Sequence, residues 1–518
     1  MPVNRRTFLR YGATTAAAVI AAGTGAGVLL GSPALAVGSV PWPELAGRLA
    51  GPLVLPTDAD FAAAERVYFS HYDTPAPSAV AYCTSEADVH ACITFAQRYD
   101  LPAVPRSGGH SHAGFSTTTG LVIDLTRLNS AALTGSGPGG SPLVVLGPGT
   151  RQIDALTTLA PQGYALVGGG CPTVAAGGFV QGGGYGLLTR RNGMSCDRLV
   201  SARVVLADGR VVTASARENP DLFWALRGGG GGNFGVVTQY RVRPVALTQL
   251  GQYALTWPFT QAAAVLAAWQ DWVVGAPWAL GGGFTLAASP AAGGVPQLSV
   301  SGGWTGSLDA LDAVLDTFVA AVGTAPTVRS ANIYSYQDSM MSVYGCGTLT
   351  AEQCHLTGTT AEGMLQRGNF LAVRNRMFDD PMPAADTAAL VAAFEQPLPT
   401  GHVRLVSGAA LGGAANLVGR TDTAYAHRTT RFQLIAVDTT PASADPGAAD
   451  QAAAAAWTER VFAAIDPASN GESYQNMPDP ALADWQAAYY AENYGRLTEV
   501  KQAYDPYGFF SFAQAVGR

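Results

Sequence analysis

The sequence predicts an α+β fold with a glycine-rich first domain built in two parts and a second domain in which helices cover an antiparallel sheet. Three observations point there. Residues 79–105 read as strand, helix, strand; three glycine-rich loops fall between residues 106 and 235; and near Val245 the composition changes to alanine-rich helices alternating with strands. At 518 residues the chain is too long for one ordinary core, which also favours more than one domain.

The elements follow in order. Ala79-Val80-Ala81-Tyr82-Cys83 is a short apolar strand, and Ser85-Glu86-Ala87-Asp88 opens a helix that carries Val89, Cys92, Ile93 and Ala96 on one face and stops before Pro102. Ala103-Val104-Pro105 is the next strand. Leu121–Leu125 and Pro142–Leu146 are further strands, and Ile153, Leu156 and Leu159 mark a helix ending at Gly163. Leu199–Leu206 and Val211–Ala214 form a hairpin across Asp208-Gly209, a dipeptide suited to the positive φ angles of a tight turn. Asp221–Arg227 is an apolar-faced helix and Val236–Tyr240 a strand. In the second part, Gln261–Trp272 and Leu308–Val322 read as helices, Leu298–Ser301, Leu371–Met377 and Phe432–Ala436 as strands, and Tyr489–Lys501 as one amphipathic helix broken at Asp505-Pro506.

Composition narrows the function. Charged residues make up 13% of the chain, against roughly a quarter in average proteins, and 62 residues are glycine. The net charge of −7, with no basic block after the first ten residues, argues against nucleic acid or an anionic membrane as a partner and favours an uncharged or mildly polar small molecule. Asn4-Arg5-Arg6-Thr7-Phe8-Leu9-Arg10, an apolar run from Ala13 to Leu30 and Ala34-Leu35-Ala36 read as a twin-arginine export signal over 1–36, cut after Ala36. A membrane anchor is the alternative, but the run is rich in alanine and glycine and interrupted by Thr and Gly. No later stretch has the ~18 uninterrupted apolar residues of a spanning helix. The expected mature protein is soluble, exported folded and extracytoplasmic.

Six cysteines are too few for a disulfide scaffold, and no CxxC pair suggests a metal. The spacing of Cys346 and Cys354 is compatible with a disulfide closing a surface loop or with two free thiols.

Glycine weakens regular elements by about 0.5–1 kcal/mol relative to alanine, so the stretch Gly168 to Gly186 implies backbone brought close to something large and flat, or to phosphate. Cys171 sits within it. Upstream, Arg106-Ser107-Gly108-Gly109-His110-Ser111 follows a strand and offers successive N–H groups to an anion such as a dinucleotide pyrophosphate. It is not a GxGxxG turn opening a helix, because Phe115-Ser116-Thr117-Thr118-Thr119 follows. A histidine and a cysteine on two such cradles suggest a cofactor held covalently at two points. His112 reads as a surface or supporting histidine.

These segments resemble the flavoprotein oxidases of the vanillyl-alcohol oxidase superfamily, in particular the berberine bridge enzyme-like branch. The resemblance rests on Arg106–Ser111, on Gly170-Cys171-Pro172-Thr173-Val174 with Gly182-Gly183-Gly184-Tyr185-Gly186, on Asp221–Gly230 with Asn233-Phe234-Gly235, and on Tyr489-Tyr490-Ala491-Glu492-Asn493 with Tyr504-Asp505-Pro506. It implies FAD linked through its 8-methyl carbon to His110 and through its 6 position to Cys171. The cofactor would be cradled by Arg106, Ser107, Gly108, Gly109, Ser111, Gly178, Gly182, Gly183, Gly184, Tyr185, Gly186, Gly235, Val236, Val237, Tyr490 and Asn493. Val174 matches the position that in the family admits oxygen to the flavin. The implied domains are an FAD-binding domain over 37–245, a substrate domain over 246–470 and a segment over 471–518 returning to the first.

Ser473-Tyr474-Gln475-Asn476-Met477-Pro478-Asp479 is similar to the family segment that supplies a tyrosine base, with Met477 in place of a second tyrosine. A tyrosine of pKa ~10 needs a neighbouring cation or hydrogen-bond donor to act as a base near neutrality. Arg374 and Arg376 are the candidate cations. A second tyrosine base is not evident, since Met377-Phe378-Asp379-Asp380-Pro381 occupies its region. The expected function is an exported, metal-free FAD oxidase that takes hydride from an alcohol or hemiacetal carbon of a sugar-like or secondary-metabolite substrate and reduces oxygen to hydrogen peroxide. An oxidative cyclase or amine-type oxidase, and a flavin-free carbohydrate-binding protein on the same scaffold, are the alternatives.

Overall fold

The computed structural model describes residues 40–518, apart from 136, 138–139 and 442–445, so the expected export signal lies outside the described residues. The fold is α+β and builds on three larger sheets. The first has β1 (Leu53–Val54), β2 (Ala79–Tyr82), β3 (Ala103–Arg106) and β4 (Leu121–Asp124) in the order β1-β2-β4-β3. Its β2, β3 and β4 are parallel, and the helix Glu86–Arg98 makes the crossover from β2 to β3. Ser85 caps that helix as its sequence predicts, accepting a hydrogen bond from the Asp88 amide.

The second sheet contains β5 (Ala131–Thr134), β6 (Leu143–Leu146), β8 (Leu199–Val205), β9 (Val211–Ser215) and β10 (Val236–Val242) in the antiparallel order β5-β6-β10-β8-β9. Between them in sequence lies β7 (Tyr164–Ala165), which pairs with β11 (Val245–Ala246). The turn between β8 and β9 uses Gly209 at φ 82°.

The third sheet is antiparallel, with seven strands in the order β15-β12-β14-β13-β17-β18-β16. Its strands are β12 (Gln249–Trp257), β13 (Leu280–Ala288), β14 (Gln297–Trp304), β15 (Val328–Ser335), β16 (Gly368–Phe378), β17 (Val403–Ala410) and β18 (Phe432–Pro441). Helices Ala262–Gly275, Leu308–Val322, Ala384–Phe394 and Ala448–Ile465 pack on it, and Trp269, Phe284, Leu315, Phe318, Phe432 and Val461 fill the space between. Among the described residues no helix is long and apolar enough to cross a membrane.

Two expectations need correction. Tyr489–Lys501 is not one helix: the chain runs as Trp485–Tyr490, a short 3-10 turn Ala491–Asn493, and Tyr494–Tyr504, with Ala491 at φ 44°. Tertiary bonds override the periodicity. The Asn493 amide donates to the carbonyls of Arg420, Thr423 and Ala424, and the Tyr490 hydroxyl donates to Gly229. The Cys346–Cys354 disulfide is formed, but both cysteines are fully buried in a cluster with Tyr336, Met340 and Tyr344 rather than on a surface loop.

Arg106 is the most consequential ion pair of the first sheet. It stands opposite Asp124 in the β3–β4 register, donates through Nε to its carboxylate at 2.7 Å, and donates through its terminal nitrogens to the carbonyls of Ala64, Glu65 and Arg66. Both partners are almost completely buried. Removing one side of such a pair leaves a charge without compensation in a low-dielectric interior. Asp124→Asn should therefore lower the stability of the folded chain by about 3–5 kcal/mol, read from the urea midpoint; an unchanged midpoint would contradict this assignment.

Candidate functional site

One cavity of about 550 Å³ runs between the loop after β3, the glycine-rich segment around residues 169–181, the loop before β10 and the C-terminal segment. That volume suits a cofactor or drug-sized ligand. The loops lie this close because glycines remove the side chains that would separate them: a Cβ on Gly108 would sit 2.8 Å from the Ala175 nitrogen. Gly109 adopts φ 70°, which turns the chain so that its carbonyl accepts a bond from the Tyr68 amide.

Of the expected site residues, Ser107, Gly108, Gly109, His110 and Ser111 line the cavity on one side. Cys171, Val174, Gly178 and Tyr185 line it on another, and Gly235, Val236, Val237, Tyr490 and Tyr474 complete the convergence. The remaining six stand back from it. Arg106 braces β3 against β4, and Asn493 holds the 420–424 backbone. Gly182 and Gly183 lie behind the wall, where Gly183 packs on Tyr425; the Gly186 amide donates to Thr189. Gly184 turns its amide to the Tyr474 hydroxyl at 2.8 Å. Their glycine identity serves close packing of backbone.

The two candidate attachment residues meet at one hydroxyl. Thr173 Oγ1 lies 2.9 Å from His110 Nε2 and 3.6 Å from Cys171 Sγ, and Thr173 itself is buried. The Tyr68 ring stacks on the imidazole, with centroids 4.0 Å apart. Burial, with smaller contributions from His112 and Arg151, holds the His110 pKa down to about 3, so the imidazole is neutral. His112 also lines the cavity, has a buried Nδ1 without a hydrogen-bond partner among the described residues, and is lowered by burial to about 4.

Tyr474 is buried, and its hydroxyl oxygen accepts from the Gly184 amide and from Asn476 Nδ2 at 3.0 Å. Burial pushes its pKa well up and Tyr185 adds to this, while the two N–H donors oppose it. The expected cations are elsewhere. Arg374 pairs with Asp479 and Glu459, Arg376 pairs with Asp466, and both lie over the Phe462 ring. Strand alternation explains the miss: Arg374 and Arg376 share one face of β16, and Asn375 takes the other. Asn375 Oδ1 accepts from the Tyr474 amide at 2.7 Å and from Gln433, and its Nδ2 donates to the Met477 carbonyl.

Sequence reasoning missed several walls of this site. Phe510, Phe512 and Gln514 line the cavity, as does Gln475, whose amide donates to the Gly228 carbonyl at 2.6 Å. Behind Gln475, buried His427 bridges Gln475 Oε1 and Glu472 at 3.1 and 2.7 Å. Burial works against charge on Glu472, but His427 and Arg420 outweigh it and hold its pKa down to about 2. No local signal marks the tail residues; Gln475 was within reach as the neighbour of Tyr474.

The cavity fits FAD on three counts. Among the described residues the amides of Gly108, Gly109, His110 and Ser111 have no protein acceptor, which leaves a run of donors for a pyrophosphate. A Cβ placed on Gly178 would meet nothing within 4 Å, so the wall there is open backbone that a flat ring can approach. The walls combine apolar and aromatic side chains with a small set of polar groups.

Comparison with known proteins agrees. A family model described as FAD binding domain matches residues 77–215, and one described as berberine and berberine like matches 473–517. The FAD-linked oxidoreductase easE of Arthroderma benhamiae is 30% identical over 457 residues, covering 84% of this chain and 87% of that protein. Xylooligosaccharide oxidase of Thermothelomyces thermophilus is 29% identical over 458 residues, covering 85% and 87%. The solved glucooligosaccharide oxidase of Acremonium strictum superposes with a TM-score of 0.79 at 22% identity, covering 90% of this chain and 97% of that one. Residues of both matched segments line this cavity, and the likeness to FAD-linked oxidoreductases runs through most of the chain, which belongs to the berberine bridge enzyme-like family of FAD-linked oxidases.

Proposed function

We propose that this protein is an exported oxidase holding FAD through two covalent links, His110 to the 8-methyl carbon and Cys171 to the 6 position. It oxidises an alcohol or hemiacetal carbon of a sugar-like or secondary-metabolite substrate with oxygen, which becomes hydrogen peroxide. The observation that carries this reading is the convergence of His110 and Cys171 from separate loops on the Thr173 hydroxyl in one cavity. The solved glucooligosaccharide oxidase, described as having a 6-S-cysteinyl, 8α-N1-histidyl FAD, supports the double link by likeness. The relative that acts on xylooligosaccharides supports a carbohydrate substrate. Arg5-Arg6 ahead of an apolar run supports export in the folded state.

In this reading residues 37–245 and 471–518 hold the cofactor and 246–470 face the substrate. Bound FAD supplies a two-electron acceptor for hydride from the donor carbon and a route for those electrons to oxygen. The chain's residues do the rest. The Gly108–Ser111 amides neutralise the pyrophosphate, Val174 keeps the wall beside Cys171 apolar, and Tyr185 and Tyr474 face the reacting end with rings 5.0 Å apart. Tyr474 receives the substrate hydroxyl proton. The N–H groups of Gly184 and Asn476 hold its oxygen in place and offset part of the burial that raises its pKa.

A peroxide-release screen over mono- and oligosaccharides, aromatic alcohols and glycosylated natural products is the direct test; turnover of amines or ring closure without alcohol oxidation would favour the alternative chemistry. Cys171→Ala should leave flavin attached through His110 alone, shift the flavin spectrum and lower turnover, as read from the mass of the denatured protein and from steady-state rates. Tyr474→Phe should reduce kcat by about 10²–10⁴-fold with flavin content unchanged. Full activity in that variant would remove Tyr474 from proton transfer.

A further inference from the structure

We propose that Thr173 is the positioning residue for both covalent links, one hydroxyl that orients the histidine and the cysteine together. This rests on the double-link reading above and goes beyond it by assigning the residue that makes the links form. The geometry is specific. Thr173 is buried, and its Oγ1 is the only side-chain hydrogen-bond partner of either group among the described residues, at 2.9 Å from His110 Nε2 and 3.6 Å from Cys171 Sγ.

A hydroxyl has one proton and two lone pairs, so a single Oγ1 can accept from Nε2–H and donate to sulfur at the same time. Accepting from Nε2–H selects one tautomer of the neutral imidazole. The Nδ1 lone pair is then free, and Nδ1 has no partner among the described residues. The Tyr68 ring, stacked at 4.0 Å and 23° to the imidazole, keeps that ring in its plane, and the bond from the Tyr68 amide to the Gly109 carbonyl ties Tyr68 to the same turn. Nδ1 is therefore the nitrogen presented for bonding, while the hydroxyl's own proton orients Sγ. Because Thr173 follows Cys171 by two residues in a loop packed against Gly108 through Ala175, the two nucleophiles are held in one fixed relation.

The chemistry balances with oxygen as oxidant, which the proposed activity already uses. Each link replaces a carbon–hydrogen bond of the cofactor with a carbon–nitrogen or carbon–sulfur bond, a two-electron oxidation. The carbon-bound hydrogen and the proton given up by His110 or Cys171 leave with those electrons on oxygen as one hydrogen peroxide per link. For His110 the departing proton is the one on Nε2, and Thr173 Oγ1 is the atom that receives it first.

Thr173→Val keeps the shape and β-branching of the side chain and removes the hydroxyl; Thr173→Ser keeps the hydroxyl. Full-length wild-type, T173V and T173S proteins purified after expression with ample riboflavin are compared by mass of the denatured chain, by peptide mapping at His110 and Cys171, and by total bound flavin before denaturation. The wild type should carry both links. T173V should bind flavin in the folded state but form both links at least tenfold less, releasing the flavin on denaturation, and T173S should stay within about threefold of the wild type. T173V linked at both residues as in the wild type overturns the proposal, and so does loss at one residue alone, which would confine the hydroxyl to that link. If T173V does not fold, T173S decides: linkage tenfold below the wild type overturns the proposal, and near wild-type linkage supports it. A wild-type chain without covalent flavin overturns the double-link reading itself, a result distinct from all of these.

Discussion

The structure depends on the close approach of two stretches of backbone, the turn Ser107–Ser111 and the segment leading into the helix Ala176–Gln181. A side chain at Gly108 would collide with the Ala175 backbone, and one at Gly177 would collide with the Ser107 side chain. With both positions bare, His110 and Cys171 are brought to one buried hydroxyl, although they lie far apart in sequence. The remaining architecture serves to hold that approach. The Arg106–Asp124 pair fixes β3 beside β4 directly before the turn, and Tyr68 closes over the imidazole from the segment tied to the same turn. The glycines that stand back from the cavity let the backbone at 182–186 pack tightly, which aims the Gly184 amide at Tyr474.

The second organising feature is β16, whose two faces serve different tasks. Its arginines spend their charge on carboxylates of the 459–479 region and on the Phe462 ring, fastening the sheet to the helix Ala448–Ile465 and to the segment after it. Asn375, between them, holds the Tyr474–Met477 turn by two hydrogen bonds and is itself held by a third from Gln433 on the neighbouring strand. Tyr474 is thus set by the third sheet as well as by the glycine-rich loops. Tyr474 is placed by a strand in one part of the fold and by an amide in the other.

Much of the fold was legible because it is written locally. Ser85 before an apolar-periodic run, Asp208-Gly209 between two strands, and glycines flanking His110 each carry their own physical reason, and each appears where the residues demand it. What was not legible depends on distant partners. Arg106 reads as a member of an anion-binding turn until the register places it opposite Asp124. The phase of β16 cannot be read from its sequence, because Val373 to Phe378 are all buried and show no alternation between polar and apolar faces. The break at Ala491 contradicts a good helical pattern and exists because Asn493 and Tyr490 find carbonyl acceptors elsewhere in the chain. Thr173 stood inside a motif read for its cysteine, and its role depends on a histidine some sixty residues away, as the 63-residue separation of that hydrogen bond records.

Lys501 is buried beneath the C-terminal segment, where its ammonium donates to the carbonyls of Asn233 and Phe510 and to the Asp505 carboxylate. It thereby pins Phe510, Phe512 and Gln514 to the loop before β10 as a wall of the cavity. Phe510, Phe512 and Gln514 follow every other named lining residue in sequence, so a chain lacking its last few residues would leave the cavity open along that side.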